Sequence, residues 1–207
     1  MRTLVIASQK GGVGKTTITG HLGVMAESSG AGPVALIDTD PQGSLASWWN
    51  ERQAEAPAFA SVNIEHLAEH LRQLEQAGIK LAVIDTPPAV TDTIRKVLSV
   101  ADLVLIPTRP SPHDLRAVGS TVELAEAAGK RMVFVINGAA NRAKITAEAA
   151  IALSQHGTVA PVTLFQRTDY AASMIDGRTV QEIDATSRSA AEIDDLWKYV
   201  SAHLHKK

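Results

Sequence analysis

The sequence predicts an α/β fold: a doubly wound, mainly parallel sheet with helices on both faces. Three observations predict it. Six short runs rich in β-branched residues recur at 3–8, 33–38, 80–85, 102–107, 131–137 and 160–165. They are nearly all apolar rather than alternating, the pattern of strands buried on both faces. Helical segments lie between them at 15–29, 64–77, 113–128 and 143–156, so strand and helix alternate in the order that builds a parallel sheet. Finally, Gly11, Asp38, Asp85, Pro107 and Asn137 each end or closely follow a strand, the edge at which such sheets bind ligands.

The first strand runs into "SQKGGVGKTT" at 8–17. Gly11, Gly12 and Gly14, with Val13 among them, let the backbone curl so that successive N–H groups point inward at phosphate oxygens. The helix beginning near Lys15 adds its positive N-terminal end. In the general phosphate-loop pattern G-x-x-x-x-G-K-[ST], Lys15 reaches the β- and γ-phosphates, the Thr16 hydroxyl ligates Mg²⁺, and Thr17 can donate to the α-phosphate. The first glycine of that pattern would fall at position 9, where Gln9 stands, followed by a lysine the pattern does not require, Lys10.

The second strand ends in Asp38 and opens "DTDPQGS" at 38–44, with Asp40 two residues on. Asp before Pro-Gln-Gly-Ser is also ordinary turn chemistry, so these carboxylates have both a structural and a chemical reading. The third strand ends in Asp85, where a Walker B aspartate holds Mg²⁺. After the fourth comes "RPSPHD" at 109–114, either a turn whose prolines preset φ or a segment beside the nucleotide. The fifth strand ends in Asn137, followed by Gly138, Ala139 and Ala140 rather than a guanine-reading N-K-x-D, which favours ATP over GTP. The closing segment "IDDLWKYVSAHLHKK" places Leu196, Trp197, Val200 and Leu204 on one face. Asp194 and Asp195 favour packing on the sheet over insertion into an anionic membrane. Trp48 and Trp49 are expected to pack or to contact a partner.

With 207 residues, 45% of them hydrophobic, the chain is expected to form a single domain over 1–207. Its 20 basic and 22 acidic residues give a net charge of -2, so any nucleic-acid surface must be a local patch. Arg142, Lys144, Arg167, Arg178, Arg188, Lys198, Lys206 and Lys207 are the candidates for one. The absence of cysteine excludes disulfides, thiolate metal sites and cysteine-ligated iron–sulfur clusters. No apolar run approaches the roughly 20 residues that span a bilayer, and no leader precedes the first strand, so the expected location is cytoplasmic.

"KGGVGKTT", "DTDPQGS" and "VIDTPP" (83–88) together resemble the deviant Walker ATPases, most closely the ParA family of DNA-partition and cargo-positioning ATPases. The short spacing before the phosphate loop resembles the type without an N-terminal helix-turn-helix. The resemblance implies a P-loop NTPase of deviant Walker A type, using ATP and Mg²⁺. It makes Lys10 a signature lysine that crosses the interface of an ATP-dependent homodimer to the partner's phosphates, in the manner of an arginine finger. It implies catalytic roles for Lys10, Lys15 and Asp40, with Asp40 positioning the attacking water. Nucleotide contacts would come from Lys10, Gly11, Gly12, Val13, Gly14, Lys15, Thr16, Thr17 and Asn137, the last at the adenine edge, and Mg²⁺ from Thr16, Asp38 and Asp85.

The implied function is weak, partner-stimulated ATP hydrolysis by a nucleoid-associated dimer. That dimer binds nonspecific DNA and positions a plasmid, chromosome or other cargo. Its adaptor would be ParB-like or a small centromere-binding protein, and no membrane is expected. The rival is a MinD-like ATPase that cycles on membranes. Iron–sulfur relatives need cysteines this chain lacks, and dethiobiotin-synthase-like relatives need a carboxylate-recognising pocket for which there is no signal.

Overall fold

In the computed structural model, which describes residues 1–88 and 92–206, seven parallel strands form one sheet in the order β3-β2-β4-β1-β5-β6-β7. The strands are β1 (Arg2–Ile6), β2 (Val34–Asp38), β3 (Ala58–Phe59), β4 (Leu81–Asp85), β5 (Leu103–Thr108), β6 (Met132–Ala139) and β7 (Thr158–Phe165). Every residue of β4 and β5 is buried, which is why these runs read as apolar throughout instead of alternating.

Successive side chains of β1 feed opposite layers. Leu4 and Ile6 join a core with α1 (Lys15–Ala26), α2 (Ser44–Asn50) and α9 (Arg188–Leu204), while Val5 joins a second core with α3 (Leu67–Gln76), α4 (Asp92–Ser99), α5 (Pro112–Ala127) and α6 (Lys144–Ser154). Two short helices, α7 (Thr168–Ser173) and α8 (Val180–Ile183), lie between β7 and α9.

The elements expected from the sequence are present with shifted ends. The helix expected over 15–29 is α-helical to Ala26 and then opens into a π-turn over Glu27–Ala31. That expected over 64–77 begins as a 3-10 turn at Ile64–His66. The two-residue β3 and the helices α2, α4, α7 and α8, of 7, 8, 6 and 4 residues, are additional. They are too short to establish a period of their own.

The apolar stripe of the last helix is spent in the core: Leu196, Trp197, Val200 and Leu204 are each at most 5% exposed. The Trp197 indole N–H donates to Ser29 Oγ at 2.8 Å. Trp48 and Trp49 also pack, donating to the carbonyls of Arg178 (3.2 Å) and Pro57 (2.9 Å). Among the described residues, no helix is long and apolar enough to cross a membrane.

Sheet order decides where chemistry can gather. β1 lies between β4 and β5, so the chain leaves the sheet in opposite directions around it, and a crevice opens above its carboxyl end. Register brings Ile6 level with Asp85 and Asp38 level with Asp85. The ends of β1, β4 and β2 thus stand side by side beneath the glycine loop.

Candidate nucleotide-binding site

Gly12 (φ 74) and Gly14 (φ 91) adopt the left-handed conformation that an L side chain rarely takes. At Gly14 a second constraint applies, since a Cβ there would stand 2.3 Å from Asn137 Nδ2. At Gly12 a Cβ would meet nothing within 4 Å, so the backbone angle alone calls for glycine there. Gly14 caps α1, and Lys15 and Thr16 occupy the first turn, where backbone N–H groups lack helical partners.

The charges inside this loop are incompletely matched. The Lys15 side chain is buried, and among the described residues its ammonium has one hydrogen-bond partner, the Lys10 carbonyl at 3.3 Å. Burial lowers its pKa, opposed by the charges of Asp85 and Asp40. Asp85 is 1% exposed, and burial pushes its carboxyl up to about 7 against the Thr16 hydroxyl, which donates to Oδ2 at 2.6 Å. The nearby Asp38 charge raises it further. A buried cation short of acceptors beside a buried carboxyl that resists ionisation is the donor set a Mg²⁺–phosphate group complements. Thr39 and Thr86 fix Asp85 from behind: Thr39 Oγ1 donates to its carbonyl at 2.6 Å, and Thr86 Oγ1 ties the same loop to Ile6 O at 2.9 Å.

Asp38 and Asp40 combine both readings open to them. Asp38 Oδ1 accepts from Asp40 N, and its Oδ2 accepts from Leu45 N and Ala46 N, each at 3.0 Å. The carboxylate expected on the metal is therefore held by three backbone amides, two of them in the first turn of α2 and the third that of Asp40. Asp40 Oδ1 accepts from Gln42 N at 3.0 Å, and its half-buried side chain lies close enough to Lys15 to act on its charge. Lys10 is exposed at the outer rim of the loop.

Asn137 lies within β6 rather than at its end, and its Nδ2 donates to Val13 O at 2.6 Å. A cleft extends from it past Thr17, Arg109, Leu164, Phe165 and Tyr170. One wall of that cleft is not foreshadowed in the sequence. Glu192 Oε1 accepts from Arg167 Nε and Nη2 at 3.0 and 2.6 Å, and its Oε2 accepts from Phe165 N at 3.1 Å and Tyr170 Oη at 2.8 Å. Burial, reinforced by the Glu192 carboxylate, holds the Tyr170 phenol protonated far above its ordinary value.

This corrects the basic patch. Arg167 is a wall of the cleft with a side chain 20% exposed, not a free surface cation. Arg178 is paired with Asp176, and Lys198 with Asp194. Arg142, Lys144 and Arg188 are exposed and form no ion pair among the described residues. Lys206 is exposed as well, and Lys207 lies outside the described residues. No sequence signal marks Arg167 and Glu192 as partners, since neither belongs to a motif.

Residues 4–180 match the CobQ/CobB/MinD/ParA nucleotide binding domain. A maintenance of carboxysome distribution protein A from Halothiobacillus neapolitanus is 33% identical over 201 residues, spanning 92% of this chain and 91% of its own. A ParA protein from Rhizobium radiobacter is 32% identical over 126 residues, covering 60% of this chain and 56% of that protein. Among solved structures, apo McdA from Cyanothece superimposes with a TM-score of 0.80 at 21% identity over 99% of both chains. The MinC:MinD cell division complex from Aquifex aeolicus gives 0.82 at 17% identity, covering 98% of this chain and 97% of that one. These two likenesses establish the shared fold.

Proposed function

Because the chain belongs to the CobQ/CobB/MinD/ParA nucleotide-binding family, as a ParA/MinD-like ATPase, we propose that it works as one Mg²⁺-dependent unit that closes on ATP as a sandwich dimer. In that state it holds nonspecific DNA of the nucleoid and positions a cargo through an adaptor protein that stimulates hydrolysis. The observation that carries the reading is the cluster of Lys15, Thr16 and Asp85 under the glycine loop, with Lys10 exposed at its rim.

In this reading Lys15 and the loop amides of Gly11 to Gly14 hold the β- and γ-phosphates, and Thr17 donates to the α-phosphate. Thr16 and Asp85 hold Mg²⁺, with Asp38 adding negative charge behind them. Bound there, Mg²⁺ would neutralise charge accumulating on the transferred phosphoryl group. Asp40 orients the attacking water, and Lys10 reaches the phosphates of the partner subunit. Asn137, which holds Val13 O through one amide N–H, would offer its Oδ1 to the amino group of adenine, a donor that the guanine carbonyl does not supply.

A relative matched over 92% of this chain is named for maintenance of carboxysome distribution, which supports positioning of a bulky cargo as the task. A relative named as a chromosome-partitioning ATPase, Soj of Thermus thermophilus, 28% identical over 155 residues, supports the same machinery acting on DNA. Burial of the α9 stripe removes the feature on which a membrane-cycling reading would rest. For DNA, two copies of a weak patch around Arg142, Lys144 and Arg188 brought onto one duplex give the dimer an affinity the monomer lacks.

The test separates the two lysines. Lys15→Ala should abolish nucleotide binding, whereas Lys10→Ala should bind ATP as a monomer and fail to dimerise or hydrolyse. Wild-type turnover and ATP-dependent dimerisation in Lys10→Ala would refute the sandwich.

A further inference from the structure

Outside the phosphate site, Arg52 is a buried arginine, with a side chain 2% exposed. Its guanidinium donates to Gly177 O at 2.6 Å, to Ala56 O at 2.9 Å and to both oxygens of Glu182 at 2.9 and 3.1 Å. It also lies over the Trp48 ring, 5.0 Å from its centroid. The Trp48 ring in turn rests on Gly20 of α1, and its indole N–H donates to Arg178 O. Close approach at this clasp is possible because position 177 is glycine: a Cβ there would stand 2.4 Å from Arg52 N, and φ is 76°.

This ion pair is a poor source of stability, because Arg52 is desolvated while Glu182, 27% exposed, is screened by solvent; a pair of this kind serves better to select one arrangement over others. The arrangement selected here is that of α2. One end of this helix is gripped by the clasp, and the other meets Asp38, whose carboxylate binds the first amides of α2 and the amide of Asp40. Seven helical residues make a strut about 10 Å long between them. The clasp is also tied to the phosphate helix. Val180 N donates to His21 Nε2 at 3.3 Å, and His21 Nδ1 donates to Thr17 O at 2.8 Å. The hydrolysis loop and the phosphate loop are thereby referred to one body.

We infer that Arg52 is a positioning residue for hydrolysis: through Gly177, Glu182 and Trp48 it sets the tilt of α2, and the tilt sets where Asp40 stands relative to Lys15. The inference rests on the reading of Asp40 as the residue that orients water. Displacing an orienting group by about 1 Å can cost two orders of magnitude in rate, so small tilts matter.

The experiment uses the full chain and follows intrinsic ATP hydrolysis, affinity for a fluorescent ATP analogue, and thermal unfolding. Arg52→Met should lower kcat about tenfold or more while analogue affinity stays within about twofold. Trp48→Phe, which removes one hydrogen bond and keeps an aromatic ring, should lower kcat less, in the same direction. Introduced into Asp40→Ala, Arg52→Met should cause no further loss, because the residue it acts through is gone. A merely structural Arg52 would depress the melting temperature and leave kcat per folded molecule at the wild-type level. That outcome overturns the inference, and so do losses that multiply in the double variant. If Arg52→Met does not fold, an unchanged kcat in Trp48→Phe overturns it. Wild-type turnover in Asp40→Ala alone would instead refute the role given to Asp40, and the clasp's role with it.

Discussion

The stability that His21 contributes should be lost as pH falls from 7 to 5. The residue is 0% exposed, donates from Nδ1 to the Thr17 carbonyl and accepts at Nε2 from Val180 N, so a second ring proton would face a donor. Its ring also stands edge-on to Tyr170, 5.4 Å between centroids. Burial lowers its pKa from 6.5 to about 4, with the Thr17 hydrogen bond and the Glu182 charge opposing. The unfolded chain therefore takes up a proton near pH 6.5 that the folded chain refuses until about pH 4. Stability from this residue is complete above pH 6.5, is lost as pH falls through that window, and levels off below about pH 4.

Linkage with these two values gives a loss of about 2 kcal/mol between pH 7 and pH 5. For a chain of this size the share of this site corresponds to about 4–8 °C in Tm, opposed over the same interval by Asp85, whose buried carboxyl, pushed up to about 7, takes up a proton in the folded chain. The assay is urea or thermal unfolding of wild type and His21→Gln at both pH values. Glutamine keeps one donor and one acceptor and does not titrate, so the difference between the two pH dependences isolates this site from the other histidines. The variant should lose about 2 kcal/mol less than wild type between pH 7 and pH 5. Equal pH dependence in the two proteins would refute the reasoning.

Gly14→Ala should cost nucleotide affinity at least tenfold, because the new methyl group stands 2.3 Å from Asn137 Nδ2 at a backbone angle alanine resists; titration with a fluorescent nucleotide checks it. Thr16→Val should leave a protein that binds nucleotide but gains little from added Mg²⁺, since it removes the hydroxyl beside Asp85, and comparing affinities with and without the metal decides this. Reversing Arg142 and Lys144 to Glu should weaken DNA binding of the ATP dimer and flatten its salt dependence, by about 0.9 in slope for each phosphate no longer neutralised, with ATP binding unchanged. Arg167→Glu should instead place two carboxylates together at Glu192 and impair folding and nucleotide binding, which circular dichroism and titration distinguish from a surface effect.

Much of the site was legible because its parts are local. A phosphate loop is written in consecutive residues, with glycines where the backbone must turn left-handed and a lysine and threonine at the first turn of the helix. Five of the six long strands were legible because burial on both faces leaves almost nothing but apolar side chains, whereas β7, at the sheet edge and largely half-buried, was read from its β-branched residues alone. The short helices α2, α4, α7 and α8 were not, since a helix of one or two turns draws its stability from packing rather than from its own pattern.

Local backbone geometry and periodicity make the alternation of the six long strands with the longer helices, the phosphate loop and the carboxylates at the strand ends readable from the residues alone. Tertiary structure decided which of those carboxylates meet, because sheet register places Asp38 level with Asp85 from a different strand. It also decided their state: Asp85 is pushed up to about 7 by burial, which no local pattern encodes. The pairs Arg167–Glu192, Arg52–Glu182 and His21–Val180 join residues 25, 130 and 159 positions apart. Their partners are chosen by how the elements pack, so Arg167, which in the sequence is one more basic residue, becomes in the folded chain a wall of the cleft beside Asn137.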